Sequence, residues 1–488
     1  MSVETRQLEP TSVWKHFEDL NAVPRPSKRE ERVIAFMESF AKSLNLPCEK
    51  DETGNLLITK PASPGMENRK MVVMQAHLDM VHQKNSDTVF DFEEEGIRTY
   101  IDGEWVKAEG TTLGADNGMG VAAIMAVLSS TDVAHPAIEA LFTVDEEAGM
   151  TGAQNLKPGW LKGEILLNLD TEEDDELSIG CAGGVDTDIK WSYTQEKFDG
   201  DYKALQISVS GLSGGHSGMD IIKGRGNANK IMNRFIWGAD KDFGLRIVSI
   251  DGGSLRNAIP RESTAVALVP QQKLNDLKAH WEVLTKEIQL EFATTDPAVQ
   301  VKFTDSSVND NQAMALADQQ KLILAIQACH DGVKRMSPDV DDLVESSNNL
   351  ARVEVKNGKA QAKCLTRSDR ESGKWDLAHS VAAPFHMLGA EVNHSGSYPG
   401  WKLDPNARML GMMKALYKEL FNEEPKVLAC HAGLECGLLG QHYPHLEMIS
   451  FGPTIRGAHS PDERVNIKSV QKFWGYLQEA LKRIPLKD

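Results

Sequence analysis

Four short, mostly apolar runs constrain the fold of this 488-residue chain more than any other feature. They span residues 55–59, 71–74, 137–144 and 165–169, and continuous runs of this kind mark strands buried on both faces. Helical patterns lie before and between them. Val33, Phe36, Met37, Phe40 and Leu44 recur at three- and four-residue spacing, and Ser27 with Glu30 reads as a capping box that starts that helix. Residues 117–128 read as a second helix with Asp116 or Asn117 at its N-terminus. Strands alternating with helices predict an α/β layer around a mostly parallel central sheet.

After Cys181 the texture changes. Leu205, Ile207 and Val209 alternate with Gln206, Ser208 and Ser210, the pattern of a sheet wet on one face. Asn357-Gly358 sits between two alternating runs and signals a hairpin. Helical windows at about 271–292 and 315–329 separate these strands. Residues 185–400 therefore read as an α+β domain inserted into a discontinuous first domain of residues 1–184 and 401–488. The acidic run Glu172-Glu-Asp-Asp-Glu176 reads as a solvated loop.

Composition excludes several functions. With 71 Asp plus Glu against 53 Lys plus Arg, the formal charge is −18, opposite to what phosphate neutralisation in a nucleic-acid binder requires. The 6 cysteines are too few and too irregularly spaced for a disulfide-stapled scaffold or a CxxC metal knuckle, and read as reduced, mostly buried thiols. The first twenty residues lack a basic segment followed by an apolar one, so no signal peptide is expected. The most apolar window, residues 121–128, is far short of the roughly 20 residues of a membrane span. A soluble, cytoplasmic protein without membrane or nucleic-acid partners is the expectation.

Chemistry gathers where the strand-like runs end. Gln75-Ala-His77-Leu-Asp79, Gly114-Ala-Asp116-Asn-Gly118, Thr143-Val-Asp-Glu146-Glu147 and Leu167-Asn-Leu-Asp170 each bring metal-capable side chains, and ligands of open α/β sheets bind outside the carboxyl ends of the strands. Each segment alone has an ordinary reading: a hydrogen-bonded histidine, a helix N-cap at Asp116, a solvated Glu146-Glu147 turn, a loop acid at Asp170. Four such endings together make the ordinary readings improbable. Residues two apart in an extended segment share a face, which lets Asp79 hold the second ring nitrogen of His77. Adjacent Glu146 and Glu147 point to different sides, so one can ligate while the other handles protons. Asp116 can bridge two ions, and His459, in a Gly- and Pro-rich loop after an apolar strand at 446–451, would close the site.

These residues, with Gly214-Gly-His216-Ser-Gly218, Leu255-Arg-Asn257-Ala-Ile-Pro260, His431-Ala-Gly-Leu-Glu435-Cys-Gly437 and Gly457-Ala-His459-Ser-Pro461, resemble the two-metal aminopeptidase, carboxypeptidase and aminoacylase superfamily. Within it they resemble the aminoacyl-histidine dipeptidase branch, over essentially the whole chain. The resemblance implies a zinc-peptidase-type catalytic domain and a lid and dimerisation domain, hence a homodimer. It implies that His77 and Asp170 bind one zinc, that Glu147 and His459 bind the other, and that Asp116 bridges both. Asp79 would orient His77 and Glu146 would be the general base. His216 would reach the partner subunit's active site to steady the tetrahedral intermediate, and Asn257 and Arg367 would touch substrate. The implied activity is hydrolysis of unblocked dipeptides, Xaa-His and β-alanyl-histidine among them, by a metal-activated water.

Two imidazoles with several carboxylates and no thiolate suit two divalent ions, zinc first, with cobalt or manganese as alternatives. Such cations would offset carboxylates that otherwise repel one another in a shared cleft. Rival readings are an N-acyl amino acid deacylase on the same scaffold and a metal-binding protein without turnover. His16, His280 and His379 fall in helical windows and read as packing or surface residues. His431 and Glu435 read equally as neighbours of the site or as parts of a structural turn.

Overall fold

In the computed structural model, which describes residues 2–85, 87–308, 312–338, 340, 342–431 and 433–487, the chain divides into two compact units. The first comprises Met1–Gly180, Trp401–Ala429 and Leu434–Asp488, and the second Cys181–Gly400 and Cys430–Gly433.

The first unit is built on an 8-stranded sheet in the order Cys48–Lys50, Leu56–Lys60, Ile138–Thr143, Val72–His77, Ile165–Asn168, Glu447–Ser450, Glu176–Cys181, Lys426–Cys430. Its middle four strands run parallel, with Val72 opposite both Ile138 and Ile165, and Glu447 opposite Ile165. Strands flanking this centre are antiparallel, as in the pairs Leu56↔Phe142 and Ser450↔Ser178. Every residue of Val72–His77 and Ile138–Thr143 is buried, Gln75 and Glu139 included, which is why these segments read as mostly apolar runs without alternation. Because the four central strands share one direction, Thr143, His77, Asn168 and Ser450 all end at the same edge. A 4-stranded antiparallel sheet, ordered Ile455–Arg456, Arg464–Asn466, Trp105–Ala108 and Thr99–Asp102, makes the loop holding His459 the tip of a hairpin. Periodicity does not announce strands this short.

Three local expectations are corrected. Ser27 and Glu30 do not form a capping box: the helix is Glu31–Ser43 and has no side-chain cap. Ser27 Oγ donates instead to the Met80 carbonyl (3.2 Å), and Glu30 Oε1 accepts from the amides of Lys28 and Asp145 (2.8 and 3.1 Å). The helix Ala115–Ser129 takes non-helical backbone angles at Asp116 and Asn117, but neither side chain caps it: Asp116 faces His77 and His459, and Asn117 Nδ2 donates to the Leu169 carbonyl (2.8 Å). The acidic run 172–176 is half-buried and cation-paired: Glu173 to Arg456 (2.7 Å), Asp174 to Lys472 (3.6 Å) and Asp175 to Lys426 (2.8 Å).

The second unit carries a 9-stranded antiparallel sheet, running Gln300–Asp305, Tyr202–Ser210, Ser263–Pro270, Arg246–Gly253, Val344–Lys356, Lys359–Ser368, Gly183–Ser192, Glu391–Tyr398, with Gly332–Met336 beside Val344–Lys356. Leu205, Ile207 and Val209 enter its core with Phe235, Trp281 and Phe385, from the helices Ala228–Ile236, Leu274–Glu291 and Glu371–Leu388. Gln206, Ser208 and Ser210 stay half-exposed, as alternation requires. Trp281 stacks on Phe303 with centroids 4.6 Å apart, and its indole N–H reaches the Phe235 carbonyl (2.9 Å). Asn357 and Gly358 form a two-residue turn with φ of 52° and 76°, the left-handed pair that matches strand twist.

None of the six cysteines is in a disulfide among the described residues. No helix among them is long and apolar enough to cross a membrane.

Candidate active site

The carboxyl edge of the parallel centre gathers seven of the side chains singled out from sequence. His77 ends its strand, and its Nδ1 lies 3.4 Å from Asp79 Oδ1 and 3.2 Å from the Asp79 carbonyl. The Asp79 carboxylate also accepts the amides of Glu146 and Glu147 (3.0 and 3.2 Å), so one buried acid fixes the imidazole and the turn after the neighbouring strand. The other ring nitrogen of His77 faces Asp116 Oδ1 at 3.2 Å and Asp170 Oδ1 at 3.5 Å. His459 Nε2 faces Asp116 Oδ2 at 3.3 Å and Glu147 Oε2 at 3.0 Å. The two oxygens of Asp116 thus serve two different groups of donors.

Those groups, His77–Asp116–Asp170 and Asp116–Glu147–His459, each place three ligand atoms within 4.8 Å of one another, and so does His77–Glu146–Glu147. A fourth group, of acids alone, Glu30–Asp79–Asp145, also meets this spacing, but Asp79 and Glu30 already accept backbone amides there.

The proton affinities of these buried acids and imidazoles record their crowding. Burial, with the Asp116 charge behind it, pushes Glu147 up to about 7. Burial raises Asp170, and it raises Glu146 well above the usual carboxylate range, with Glu147, Asp170 and Glu435 adding to the effect on Glu146 against His77. Burial would also raise Asp116, but His459 and His77 hold it far below that range. Hydrogen bonds to Asp116 and Glu147 lift His459 to about 11; burial pulls His77 down, yet Asp170 and Asp116 override it and leave it well above normal. The imidazoles here do the work of cations. Glu147 Oε1 is buried with no hydrogen-bond partner. Two imidazoles, three carboxylates and an unused buried oxygen fit a pair of divalent ions, whose charge would replace the imidazolium protons.

Two supporting residues escaped the sequence reading. The Glu463 carboxylate accepts the amides of Leu113, Gly114, Ala115 and Asp116 (2.7, 2.8, 2.8 and 3.2 Å) and so shapes the loop that presents Asp116. Buried Arg25 donates to the carbonyls of Leu78, Asp79 and Gly114 (3.2, 3.2 and 2.5 Å). Its guanidinium leaves no room for a β-carbon at Gly114, which would meet it at 2.5 Å, and Gly114 also has φ of 69°. The faint signals were an acid four residues after His459 and an arginine between two prolines. Glu463→Ala is expected to lower stability by about 3 kcal/mol and metal affinity about 10–100-fold. Thermal unfolding of the metal-free chain and competition with a chelator check this; unchanged values would contradict it. Glu172, taken from sequence for a solvated acid, is pushed to about 8 by burial and then by the Asp116 charge, against His459.

The remaining candidates lie in the second unit. His216 Nδ1 accepts the amides of Gly218 and Met219 (3.3 and 3.1 Å), which leaves the proton on Nε2. The Asn257 carbonyl accepts the Ser217 amide (2.8 Å), and Arg367 donates to the Tyr398 hydroxyl (2.8 Å). His431, bonded to Ser347 Oγ at 2.7 Å, is driven to about 3 by burial and then by the Arg367 charge, and stays neutral. Ala432 of the His431–Glu435 motif lies outside the described residues; Glu435 belongs to the first unit. His16, His280 and His379 pack against Phe40, Phe243 and Trp375.

Residues 73–483 match the model of peptidase family M20/M25/M40. The cytosol non-specific dipeptidase of Escherichia coli (strain K12) is 42% identical over 484 residues, covering 99% of this chain and 100% of that protein. The solved structure of aminoacylhistidine dipeptidase from Vibrio alginolyticus superposes with a TM-score of 0.90 at 43% identity, covering 99% of both chains. Aminopeptidase PepT from Bacillus cereus shares the fold, with a TM-score of 0.57 at 14% identity over 98% of this chain and 99% of its own.

Proposed function

The chain belongs to peptidase family M20/M25/M40, and from that premise we propose that it is a dinuclear metal-dependent dipeptidase acting on unblocked dipeptides, Xaa-His and β-alanyl-histidine among them. One observation carries the reading: the two oxygens of Asp116 face two separate histidine–carboxylate pairs. His77 and Asp170 would hold one ion, Glu147 and His459 the other, and Asp116 both. Zinc suits the donor set first, and cobalt or manganese after it. The chemistry supplied at such a centre is Lewis acidity, which polarises a carbonyl and lowers the pKa of a water.

The chain's own residues do the rest. Asp79 fixes the tautomer and aim of His77, and its grip on the Glu146 and Glu147 amides sends adjacent carboxylates to different tasks. Glu146 takes the proton of the attacking water and delivers it to the leaving amine. We assign Asn257 and Arg367 to substrate contacts, and the Nε2 proton of His216 to the oxyanion in the partner subunit of a homodimer. The name of the Escherichia coli relative supports a cytoplasmic location.

A dipeptidase of this kind recognises a free amine, and a deacylase an uncharged acyl group. With the metal-reconstituted protein, Ala-His is expected to be cleaved with a kcat/KM about 100-fold or more above that of N-acetyl-Ala-His. Preference for the acetylated compound would overturn the substrate class.

A further inference from the structure

A chain of buried hydrogen bonds runs across the ends of all four parallel strands, directly before the residues that form the candidate metal site. The Thr171 hydroxyl bonds the Ser450 hydroxyl at 2.8 Å, and Ser450 donates its one proton to the Asn168 side-chain oxygen. Asn168 Nδ2 donates to Gln75 Oε1 at 2.5 Å, and Gln75 Nε2 donates to Glu435 Oε2 at 2.6 Å. From the other side the Thr143 hydroxyl donates to the same Glu435 oxygen at 2.7 Å. Gln75, Thr143, Asn168, Ser450 and Glu435 are all fully buried.

Direction matters as much as connection. Because Ser450 spends its proton on Asn168, Thr171 must donate to Ser450, and every donor then points toward Glu435. A carboxylate is acceptor-only, so it is a terminus at which such a chain can close without two donors meeting. Each link that lost its partner would leave a buried polar group unpaired, which costs more than the bond itself contributes. The chain therefore favours one arrangement of strand ends. Two residues beyond Gln75 stands His77, two beyond Asn168 stands Asp170, three and four beyond Thr143 stand Glu146 and Glu147, and Ser450 ends the strand that leads to the His459 hairpin.

We propose that Glu435 is a positioning residue for the metal site: by accepting from Gln75 and Thr143 it locks the ends of the strands that carry the ligands and the base. The assignment rests on the dipeptidase reading only for its kinetic readout. Among residues supporting metal ligands, loss of one partner typically changes affinity or activity about 10–100-fold.

The test compares Glu435→Ala with Glu435→Gln in the full-length chain, using cobalt-loaded protein for its visible absorption spectrum and zinc-loaded protein for kcat and KM on Ala-His. Glu435→Ala is expected to shift the cobalt spectrum and to lower kcat about 10–100-fold while KM moves less than about twofold. The amide oxygen of Glu435→Gln can accept the same two hydrogen bonds, and this variant is expected to recover most of the loss. A wild-type spectrum and kcat in Glu435→Ala would overturn the proposal, and so would a Glu435→Gln variant as impaired as the alanine. If Glu435→Ala does not fold, Thr143→Val, which deletes one donor at similar volume, is expected to shift the spectrum in the same direction; an unshifted spectrum there overturns the proposal. The cobalt spectrum is independent of which bond is cut. A wild-type chain inactive on dipeptides would therefore defeat the function while the spectrum still decided the role of Glu435.

Discussion

Glu146→Gln is expected to bind two metal ions per chain and to turn over Ala-His at least about 100-fold more slowly than wild type, the usual contribution of a placed general base. The geometry separates this residue from its neighbour. Glu147 Oε2 sits 3.0 Å from His459 Nε2 and shares a three-donor group with Asp116, whereas Glu146 belongs to neither of the two groups that Asp116 joins. Both backbone amides are held by Asp79, so glutamine at 146 keeps the turn, the volume and the neighbouring ligand, and removes only the capacity to take a proton. Metal analysis beside kcat on the same sample checks it. A variant within tenfold of wild type would remove Glu146 from the base role, and one that lost metal would make it a ligand.

Asp116→Ala should be the most damaging single change at the site. It takes a donor from both groups at once and leaves each with one imidazole and one carboxylate. Affinity for both ions is expected to fall by more than about 100-fold, and hydrolysis to vanish at ordinary metal concentrations. The loop that carries residue 116 should survive, because Glu463 holds its backbone amides and not its side chain. Calorimetric titration with zinc distinguishes the cases: loss of one site with the other intact would show that Asp116 serves a single ion.

How far the sequence reached depended on whether a feature was local. The central strands were legible because burial on both faces leaves a mostly apolar run without alternation, and their ends stood out because metal-capable side chains cluster there. His459 could be picked out by the Gly- and Pro-rich loop around it, although the hairpin presenting it could not, since Ile455–Arg456 and Arg464–Asn466 are too short to show alternation. Where tertiary partners compete, local rules failed. Ser27 and Glu30 have the spacing of a capping box, yet Met80 and Asp145, distant in sequence, capture them. The run 172–176 has the composition of a solvated loop, but its balancing cations, Lys426, Arg456 and Lys472, lie some 250 to 300 residues further on. Glu463 and Arg25 act on backbone groups, which carry no sequence signature, and the role of Glu435 emerges only when the hydrogen bonds of four strands are followed together.

The central claim is that one site holds two ions and cuts an unblocked dipeptide. Its most direct measurement is the rate of Ala-His hydrolysis by chelator-stripped protein as zinc is added back stoichiometrically. The account predicts negligible turnover without metal and a plateau at two equivalents per chain. A plateau at one equivalent, or no hydrolysis of the dipeptide at any metal loading, would contradict it.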